Sequence, residues 1–196
     1  MKVQDKKFLD EIQYLKFAQN ERDIMEKVSD SPFIVQIKHS FQNEKKLFIV
    51  MEYCPCGTLS RVRKKFRNRK MPEEIVKAYI AEIIVAIKCL HDHNILYRDL
   101  KPLNVLIGSD GHIKLADFGL SKFIEGEHYY SNEFCGTHAY LAPEMVQGMP
   151  HGKSIDWYGV GIMIYELIFG LPPYYSNDAD ELYQRIVGGR MTIPDG

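Results

Sequence analysis

The sequence has 196 residues, enough for one large domain or for two small lobes around a cleft. Hydrophobic residues make up 45% and charged residues 26%, a composition that supports a sizeable core and excludes a disordered chain. The formal net charge of −1 excludes an overall positive field that would attract nucleic acid or a membrane surface.

Hydrophobic periodicity predicts the elements of the first half of the chain. A helix is predicted over residues 9–28, and two strands follow in IVQIKHSF and KLFIVMEY, joined by the turn QNEK. The loop CPCGT separates them from one long helix, from Met71 to His93. The sequence Pro-Glu-Glu near its start suits the first turn of a helix.

The second half is predicted to be mostly helical. Two short strands, NVLIG and HIKLA, are joined by the turn SDG, and residues 118–140 form a polar loop. A buried helix then covers SIDWYGVGIMIYELIFG, and a shorter one in DADELYQRIVGG ends at its paired glycines.

The stretch from Trp157 to Tyr175 is apolar enough to be mistaken for a membrane span. Glu166, its glycines and Pro172-Pro173 favour a buried helix with a sharp end instead. No signal peptide is recognisable. The four cysteines have neither zinc nor disulfide spacing, which indicates reduced thiols in an intracellular protein, cytoplasmic or nuclear.

Three polar motifs follow one another in the central region. In YRDLKPLN, Asp99 and Asn104 lie five residues apart on a loop between a helix and a strand. The motif Asp117-Phe118-Gly119 follows, and then Ala142-Pro143-Glu144. In this order and spacing the set resembles the HRD-x4-N, DFG and APE motifs of eukaryotic protein kinases, with Tyr97 in place of the histidine.

The resemblance implies phosphoryl transfer from ATP, which depends on positioning and charge neutralisation. Asp117 is expected to bind the Mg²⁺ that bridges the nucleotide phosphates, and Asn104 a second metal ion. Asp99 would orient the attacking hydroxyl, and Lys101 would neutralise the transferred phosphoryl group. A lysine at the position of Lys101 is typical of serine/threonine kinases. The resemblance also implies that Thr137 links Asp99 and Lys101, as in that class of kinases.

The beginning of the chain resembles the nucleotide-binding strand of the same family. Lys2 in MKV matches the lysine of the V-A-I-K motif, and Glu21, nineteen residues on, matches its helical partner. The pair would hold the α- and β-phosphates. The alternative is that Lys2 is only a frayed terminus and Glu21 only a residue of a solvated helix face.

The segment FIVMEYCPCGT resembles the hinge between the two kinase lobes. Met51 would be the gatekeeper, the backbone of Glu52 and Cys54 would bind adenine, and Leu106 would form the floor of the pocket. Four further residues match the hydrophobic stack between the lobes of active kinases and can equally be ordinary core residues: Tyr97, Phe118, Met25 and Ile37.

Three features are similar to the AGC group of serine/threonine kinases: Tyr97, FCGT before YLAPE, and IDWYGVGIMIYEL before GLPPYY. The resemblance implies an α+β, bilobal protein kinase-like fold that is incomplete at both ends. Residues 1–52 would form a partial N-lobe with a sheet and a helix, residues 53–57 the hinge, and residues 58–196 a partial, mostly helical C-lobe. The expected partners are ATP, Mg²⁺ and protein substrates, without nucleic acid or a membrane span.

No G-x-G-x-x-G motif occurs in the chain, so the glycine-rich phosphate loop is expected to be absent. Three interpretations stay open. The first is an AGC-type serine/threonine kinase. The second is a kinase-like pseudokinase or interaction module, and the third is a non-autonomous fragment of a longer kinase.

Regulation of such a kinase would involve the loop before FCGT. Glu133 stands where AGC kinases usually carry a phosphorylated threonine, and it could pair with Arg98 without a phosphate. The alternative is a solvated loop residue. Ser131 is the nearest other candidate phosphorylation site.

Substrate recognition is also expected to differ from that of the relatives. Thr58 and Leu103 replace two of the carboxylates with which basophilic relatives bind substrate arginines, and Glu166 remains as the third. The sequence therefore predicts a weak preference for arginine, supplied by Glu166.

Overall fold

The computed structural model describes residues 1–7, 15–124 and 130–194. In its described residues, the first part of the chain has a three-stranded antiparallel sheet, in the strand order β1-β3-β2, and a long helix. Its elements are β1 (Lys2–Asp5), α1 (Leu15–Lys27), β2 (Ile37–Gln42) and β3 (Lys46–Met51). Residues of β1 alternate between half-buried and exposed, so Lys2 lies on the inner side of the sheet.

The remainder is mostly helical, with two small two-stranded sheets, β4-β7 and β5-β6. Its helices are α2 (Leu59–Arg63), α3 (Glu73–Asp92), α4 (Pro143–Val146), α5 (Ser154–Phe169) and α6 (Ala179–Gly188). Its strands are β4 (Ile95–Leu96), β5 (Val105–Ile107), β6 (Ile113–Leu115) and β7 (Lys122–Phe123). Two 3₁₀ turns lie at Arg67–Arg69 and His138–Tyr140.

The two long helices of this part form its centre because their apolar residues repeat at helical spacing. Ile80, Ile83, Ile87 and Leu90 of α3 are buried in one core cluster, which also includes Met163 of α5. Helix α5 ends where Gly170 adopts a φ of 89°, a left-handed conformation that glycine tolerates. Among the described residues, no helix has both the length and the apolar character needed to cross a membrane.

The predicted α+β class, a small sheet with one helix followed by a mostly helical part, is confirmed. The long helices α3 and α5 lie within two residues of their predicted bounds. Residues 9–14 of the first predicted helix, residues 9–28, lie outside the described residues. The described part of this helix runs from Leu15 to Lys27.

Two details of the prediction are wrong. The first predicted strand, residues 34–41, is shorter at its start because Val35 donates its N–H to the carbonyl of Leu115 in β6 (2.9 Å) rather than to β3. Residues 118–140 are not wholly loop, since they contain β7 and the turn at His138–Tyr140. Short elements of this kind carry too few residues for a periodic pattern.

Candidate active site

Asp99 is the centre of a hydrogen-bonded cluster on the loop between β4 and β5. Its Oδ1 accepts from Thr137 Oγ1 (2.8 Å), and its Oδ2 accepts from Lys101 Nζ (2.7 Å) and from Asn104 Nδ2 (2.9 Å). The Asp99 side chain is only 8% exposed, so these charge-assisted bonds lie in a partly dry environment. The structure thus brings four of the predicted site residues together, although Thr137 is 38 residues from Asp99 in sequence.

Asp156, in the first turn of α5, holds this loop in place. Its carboxylate accepts from the backbone N–H groups of Tyr97 (2.9 Å) and Arg98 (2.8 Å) and contacts His91 Nε2 (2.8 Å). Arg98 has a φ of 69°, an uncommon conformation for a residue with a side chain, which needs such support. The sequence interpretation missed Asp156. The available signal was an acidic residue at the start of an apolar, buried helix.

Lys2 connects the sheet to the rest of the site. Its Nζ donates to both carboxylate oxygens of Glu21 (2.7 and 2.8 Å) and to Asp117 Oδ1 (3.1 Å). Burial alone would lower the pKa of Lys2, but the neighbouring carboxylates of Glu21 and then Asp117 outweigh it and raise that pKa. Lys2 therefore stays positively charged at neutral pH.

The side chain of Asp117 is exposed, and its neighbour Phe118 anchors this segment in the core. The Asp117 side chain is 53% exposed and its backbone φ is 59°, a strained value of the kind that clusters at functional sites. Phe118 is fully buried, with its ring centroid 5.6 Å from that of Tyr97. The Tyr97 hydroxyl donates to the carbonyl of Ala116 (2.5 Å), and burial raises the pKa of Tyr97 well above its usual value, so the hydroxyl stays a donor.

The predicted stack residues share one core cluster, with Met25 buried and Ile37 packed against it at the margin. The predicted hinge residues lie at its edge, where Met51 ends β3 and Leu106 of β5 is half-buried. The N–H of Glu52 donates to the carbonyl of Gln36 (2.8 Å). Among the backbone hydrogen bonds of the described residues, none uses the carbonyl of Glu52 or the N–H of Cys54.

The oxygen atoms that Asp117 and Asn104 offer fit magnesium. Asp117 offers a solvent-accessible carboxylate, and the amide nitrogen of Asn104 is committed to Asp99, so its carbonyl oxygen is the atom that it offers a metal. Mg²⁺ prefers oxygen ligands and usually takes only one or two carboxylates, with water and phosphate completing its shell. Among the described residues, no group of three or more His, Cys, Asp or Glu side chains could hold an ion without such help.

Arg98 meets the loop that precedes FCGT. Its Nη1 donates to Glu133 Oε2 (2.8 Å) and to Ser131 Oγ (3.2 Å), and its side chain is only 1% exposed. Lys122 of β7 donates to the other Glu133 oxygen (2.5 Å), a contact that the sequence interpretation missed. Burial would raise the pKa of Glu133, but the bonds from Lys122 and Arg98 lower it. Glu133 is therefore an ion-paired residue rather than a freely solvated one.

Ser131 does not suit the expected role of a phosphorylation site. It is 2% exposed, and it exchanges two backbone hydrogen bonds with His151 (2.8 and 2.9 Å). Its hydroxyl also accepts from the N–H of Glu133 (3.3 Å). A modifying enzyme would have to open this bridge, so Ser131 is better described as a structural residue of the loop.

Glu166, the carboxylate that the sequence predicts to bind a substrate arginine, already has partners within the chain. It is paired with Arg63 of α2 and accepts a hydrogen bond from the Tyr140 hydroxyl, and its side chain is only 12% exposed. Thr58 caps α2 through the N–H of Arg61 (3.2 Å), and Leu103 is 60% exposed. The chain itself supplies the arginine that neutralises this carboxylate.

Comparison with known proteins assigns the chain to a family. The family model described as protein kinase domain matches residues 1–195. The cAMP-dependent protein kinase catalytic subunit of Dictyostelium discoideum is 40% identical over 196 residues, covering 100% of this chain and 29% of that protein. The serine/threonine-protein kinase AtPK1/AtPK6 of Arabidopsis thaliana is 40% identical over 194 residues, covering 99% of this chain and 41% of that protein.

The serine/threonine-protein kinase gad8 of Schizosaccharomyces pombe is 42% identical over 175 residues, covering 89% of this chain and 30% of that protein. The chain thus spans less than half the length of each of these relatives. The chain belongs to the protein kinase family, and these relatives are serine/threonine kinases of the AGC type.

Proposed function

We propose that the chain transfers the γ-phosphate of ATP to serine or threonine hydroxyls of protein substrates. The observation that carries the proposal is the cluster around Asp99, in which Thr137 and Lys101 each contact the carboxylate and each other (3.0 Å between Lys101 Nζ and Thr137 Oγ1). A carboxylate held in this way beside a lysine suits a hydroxyl nucleophile and an anionic phosphoryl group.

Each residue of the cluster has a separate role in the proposed transfer. Asp99 orients the substrate hydroxyl and takes its proton as the oxygen attacks. Lys101 balances the negative charge of the transferred phosphoryl group. Its ammonium is hydrogen-bonded to the Asp99 carboxylate and would therefore lie close to the phosphoryl group that the substrate hydroxyl attacks. Thr137 fixes the carboxylate by donating to the oxygen that Lys101 does not contact.

The nucleotide would lie between the sheet and the helical part. Lys2, held by Glu21, would contact the phosphates, and the backbone of Glu52 and Cys54 would contact adenine between Met51 and Leu106. Asp117 and Asn104 would hold magnesium, which when bound neutralises charge on the phosphate oxygens.

The same proposal divides the chain into lobes. Residues 1–52 form the sheet lobe, residues 53–57 the linker, and residues 58–196 the helical lobe, a division that follows the change from the first sheet to the helices. Cys54, Cys56, Cys89 and Cys135 are free thiols, which suits a cytoplasmic or nuclear location.

Calorimetric titration with ATP and magnesium tests the nucleotide part. We expect weak binding that Lys2→Met or Asp117→Asn weakens further, by roughly tenfold to a hundredfold, because each removes a charge-assisted contact worth about 1.5–3 kcal/mol. Lys38→Met removes an exposed charge from β2 and serves as the matched control. Equal affinity in all four proteins would contradict the placement of the nucleotide.

The transfer step is tested with Asp99→Asn in a phosphorylation assay. This variant should bind ATP as the parent chain does while losing transfer to a serine peptide, since Asp99 acts on the substrate hydroxyl rather than on the nucleotide. Transfer that survives the substitution would contradict the role assigned to Asp99, and so would a parallel loss of ATP binding.

A further inference from the structure

Residues 61–70, here named the basic segment, carry a dense positive charge. Seven of the ten residues are Lys or Arg and none is acidic, although the whole chain has 25 basic and 26 acidic residues. Arg63 is buried, and the other six cations are exposed: Arg61, Lys64, Lys65, Arg67, Arg69 and Lys70. None of these six forms an ion pair with another residue in the part of the chain that the structure describes.

The basic segment is anchored rather than loose. Val62 and Phe66 pack against the main core, and the N–H of Met71, which follows the segment, donates to the carbonyl of Leu167 (2.8 Å). Within the segment, the N–H of Phe66 donates to the carbonyl of Arg63 (3.1 Å). A ligand that binds here therefore does not have to order the backbone, which lowers the cost of binding.

The turn of the segment is fitted closely to the helix beside it. Asn68 and Arg69 have φ values of 53° and 60°, and a Cβ added to Gly170 would lie only 2.4 Å from the carbonyl oxygen of Asn68. Arg63 Nη2 donates to the carbonyl of Gly170 as well (3.1 Å). The exposed cations are therefore presented from a fixed turn against the end of α5.

The start of α2 contacts the loop that carries Asp99. The N–H of Ser60 donates to the carbonyl of Pro102 (2.9 Å), and Pro102 lies between Asp99 and Asn104. Arg61 is the next residue along α2 and is exposed. A substrate hydroxyl at Asp99 would thus have the beginning of the basic segment beside it.

A second connection leads from the segment to Thr137, which contacts Asp99. Arg63 pairs with Glu166, Glu166 accepts from the Tyr140 hydroxyl, and the N–H of Tyr140 donates to the carbonyl of Thr137 (2.8 Å). The carboxylate in this region is thereby neutralised from within the chain, which leaves the exposed charge of the segment positive.

We propose that the basic segment binds an acidic stretch of the protein substrate, next to the hydroxyl that receives the phosphate. The proposal rests on the proposed function, because it places the hydroxyl at Asp99. Unpaired cations attract Asp, Glu or phosphorylated side chains and repel Lys and Arg, so the surface discriminates by charge and also speeds encounter. Since the segment holds 7 of the 25 basic residues and none of the 26 acidic ones, the rest of the chain is net acidic and disfavours a long polyanion such as nucleic acid.

Fluorescence anisotropy with a labelled serine peptide that contains a run of glutamates tests the proposal on the whole chain. The matched peptides carry glutamine or lysine in place of glutamate. The glutamate peptide should bind about tenfold more tightly than the glutamine peptide at low salt, and the difference should shrink as salt screens the charges.

Charge reversal locates the surface. Lys64→Glu combined with Lys65→Glu should abolish the preference for glutamate, whereas Lys38→Glu combined with Lys45→Glu, the same change of charge on exposed residues of the first sheet region, should leave it intact. Unfolding curves that match those of the parent chain establish that both double variants are folded. An equal loss in both pairs would overturn the proposal, because it would reduce the effect to overall charge.

Other outcomes distinguish this proposal from binding of nucleic acid or lipid, and from the proposed function itself. Tighter binding of an oligonucleotide or of anionic lipid vesicles than of the glutamate peptide would overturn it, and so would equal affinity for the glutamate and glutamine peptides. ATP binding is measured separately by calorimetry. Binding of the glutamate peptide without any ATP binding would support the acidic-ligand surface and contradict the proposed function, whereas ATP binding without a glutamate preference would overturn only the surface.

Discussion

Replacing Asp156 by asparagine tests whether this buried carboxylate holds the catalytic loop. Its Oδ1 accepts from the N–H of Arg98, and its Oδ2 faces both the N–H of Tyr97 and His91 Nε2. An asparagine of the same shape must present its NH₂ group to one of these donors, so at least one backbone N–H loses its acceptor in a site that is 2% exposed.

The magnitude follows from that geometry. A hydrogen bond to a charged group contributes about 1.5–3 kcal/mol, and a buried donor without an acceptor costs about 1–3 kcal/mol. We therefore expect Asp156→Asn to lower the free energy of unfolding by about 3 kcal/mol, a large part of the 5–15 kcal/mol typical of a domain. Arg98 would also lose support for its φ of 69°. The rate of transfer to a peptide should therefore fall by more than the loss of folded protein explains.

Urea denaturation followed by circular dichroism measures the change, with the slope of the transition checked for equality between the two proteins. Asp92→Asn is the control, because Asp92 is exposed and its ion pair with Lys88 lies on the surface. The stability of this variant should match that of the parent chain. A loss below about 0.5 kcal/mol for Asp156→Asn would refute the reasoning, since surface substitutions already reach that size.

The remaining predictions concern the segment around FCGT. Glu133→Gln should lower transfer several-fold and make residues 130–135 more sensitive to protease, because the amide keeps the shape but loses the charge that pairs with Arg98; unchanged protease sensitivity would contradict this. Folding lowers the pKa of Glu133, so its ion pairs contribute fully to the stability of this loop above the usual pKa of 4.5, and that contribution is lost as pH falls through the lower pKa of the folded protein. Protease sensitivity should therefore rise over that acidic range in the parent chain and stay constant in Glu133→Gln. Gly136→Ala should reduce transfer at least about tenfold with little change in ATP affinity, since its Cβ would lie 2.8 Å from the Arg98 carbonyl oxygen and displace Thr137. Gly111→Ala, with positive φ but open space around it, is the matched control for backbone strain, and an equal effect of both would argue against the clash.

Much of the site could be predicted because its charged residues are close together in sequence. Asp99, Lys101 and Asn104 lie on one loop, and a cluster of polar residues between apolar ones is visible without any structure. The long helices α3 and α5 were predictable for a similar reason, since periodic burial over many residues leaves a strong pattern.

What the sequence could not show is which distant residue satisfies each charge. In the sequence alone, nothing indicates that Glu166 is paired. Its partner, Arg63, lies 103 residues earlier in the chain. The roles of Lys122 and Asp156 could not be predicted for the same reason. The contact of Lys122 with Glu133 and the contact of Asp156 with the catalytic loop depend on the tertiary fold and follow no local spacing.

The hydrogen bonds between residues 33–35 and β6 join the segment before β2 to the helical part. The carbonyl of Leu115 accepts from the N–H of Val35 (2.9 Å), and the N–H of Leu115 donates to the carbonyl of Phe33 (2.8 Å), so this short segment is bonded to the helical part although β2, which follows it, belongs to the first sheet. The sheet and α1 are joined to the helical part at further places as well, because Asn20 Nδ2 donates to the carbonyl of Ser121 (2.7 Å) and Lys2 Nζ donates to Asp117 Oδ1 (3.1 Å). A rotation of the sheet against the helical part would change all of these distances, and the contact between Lys2 and Asp117 is the one that would report it at the candidate site itself.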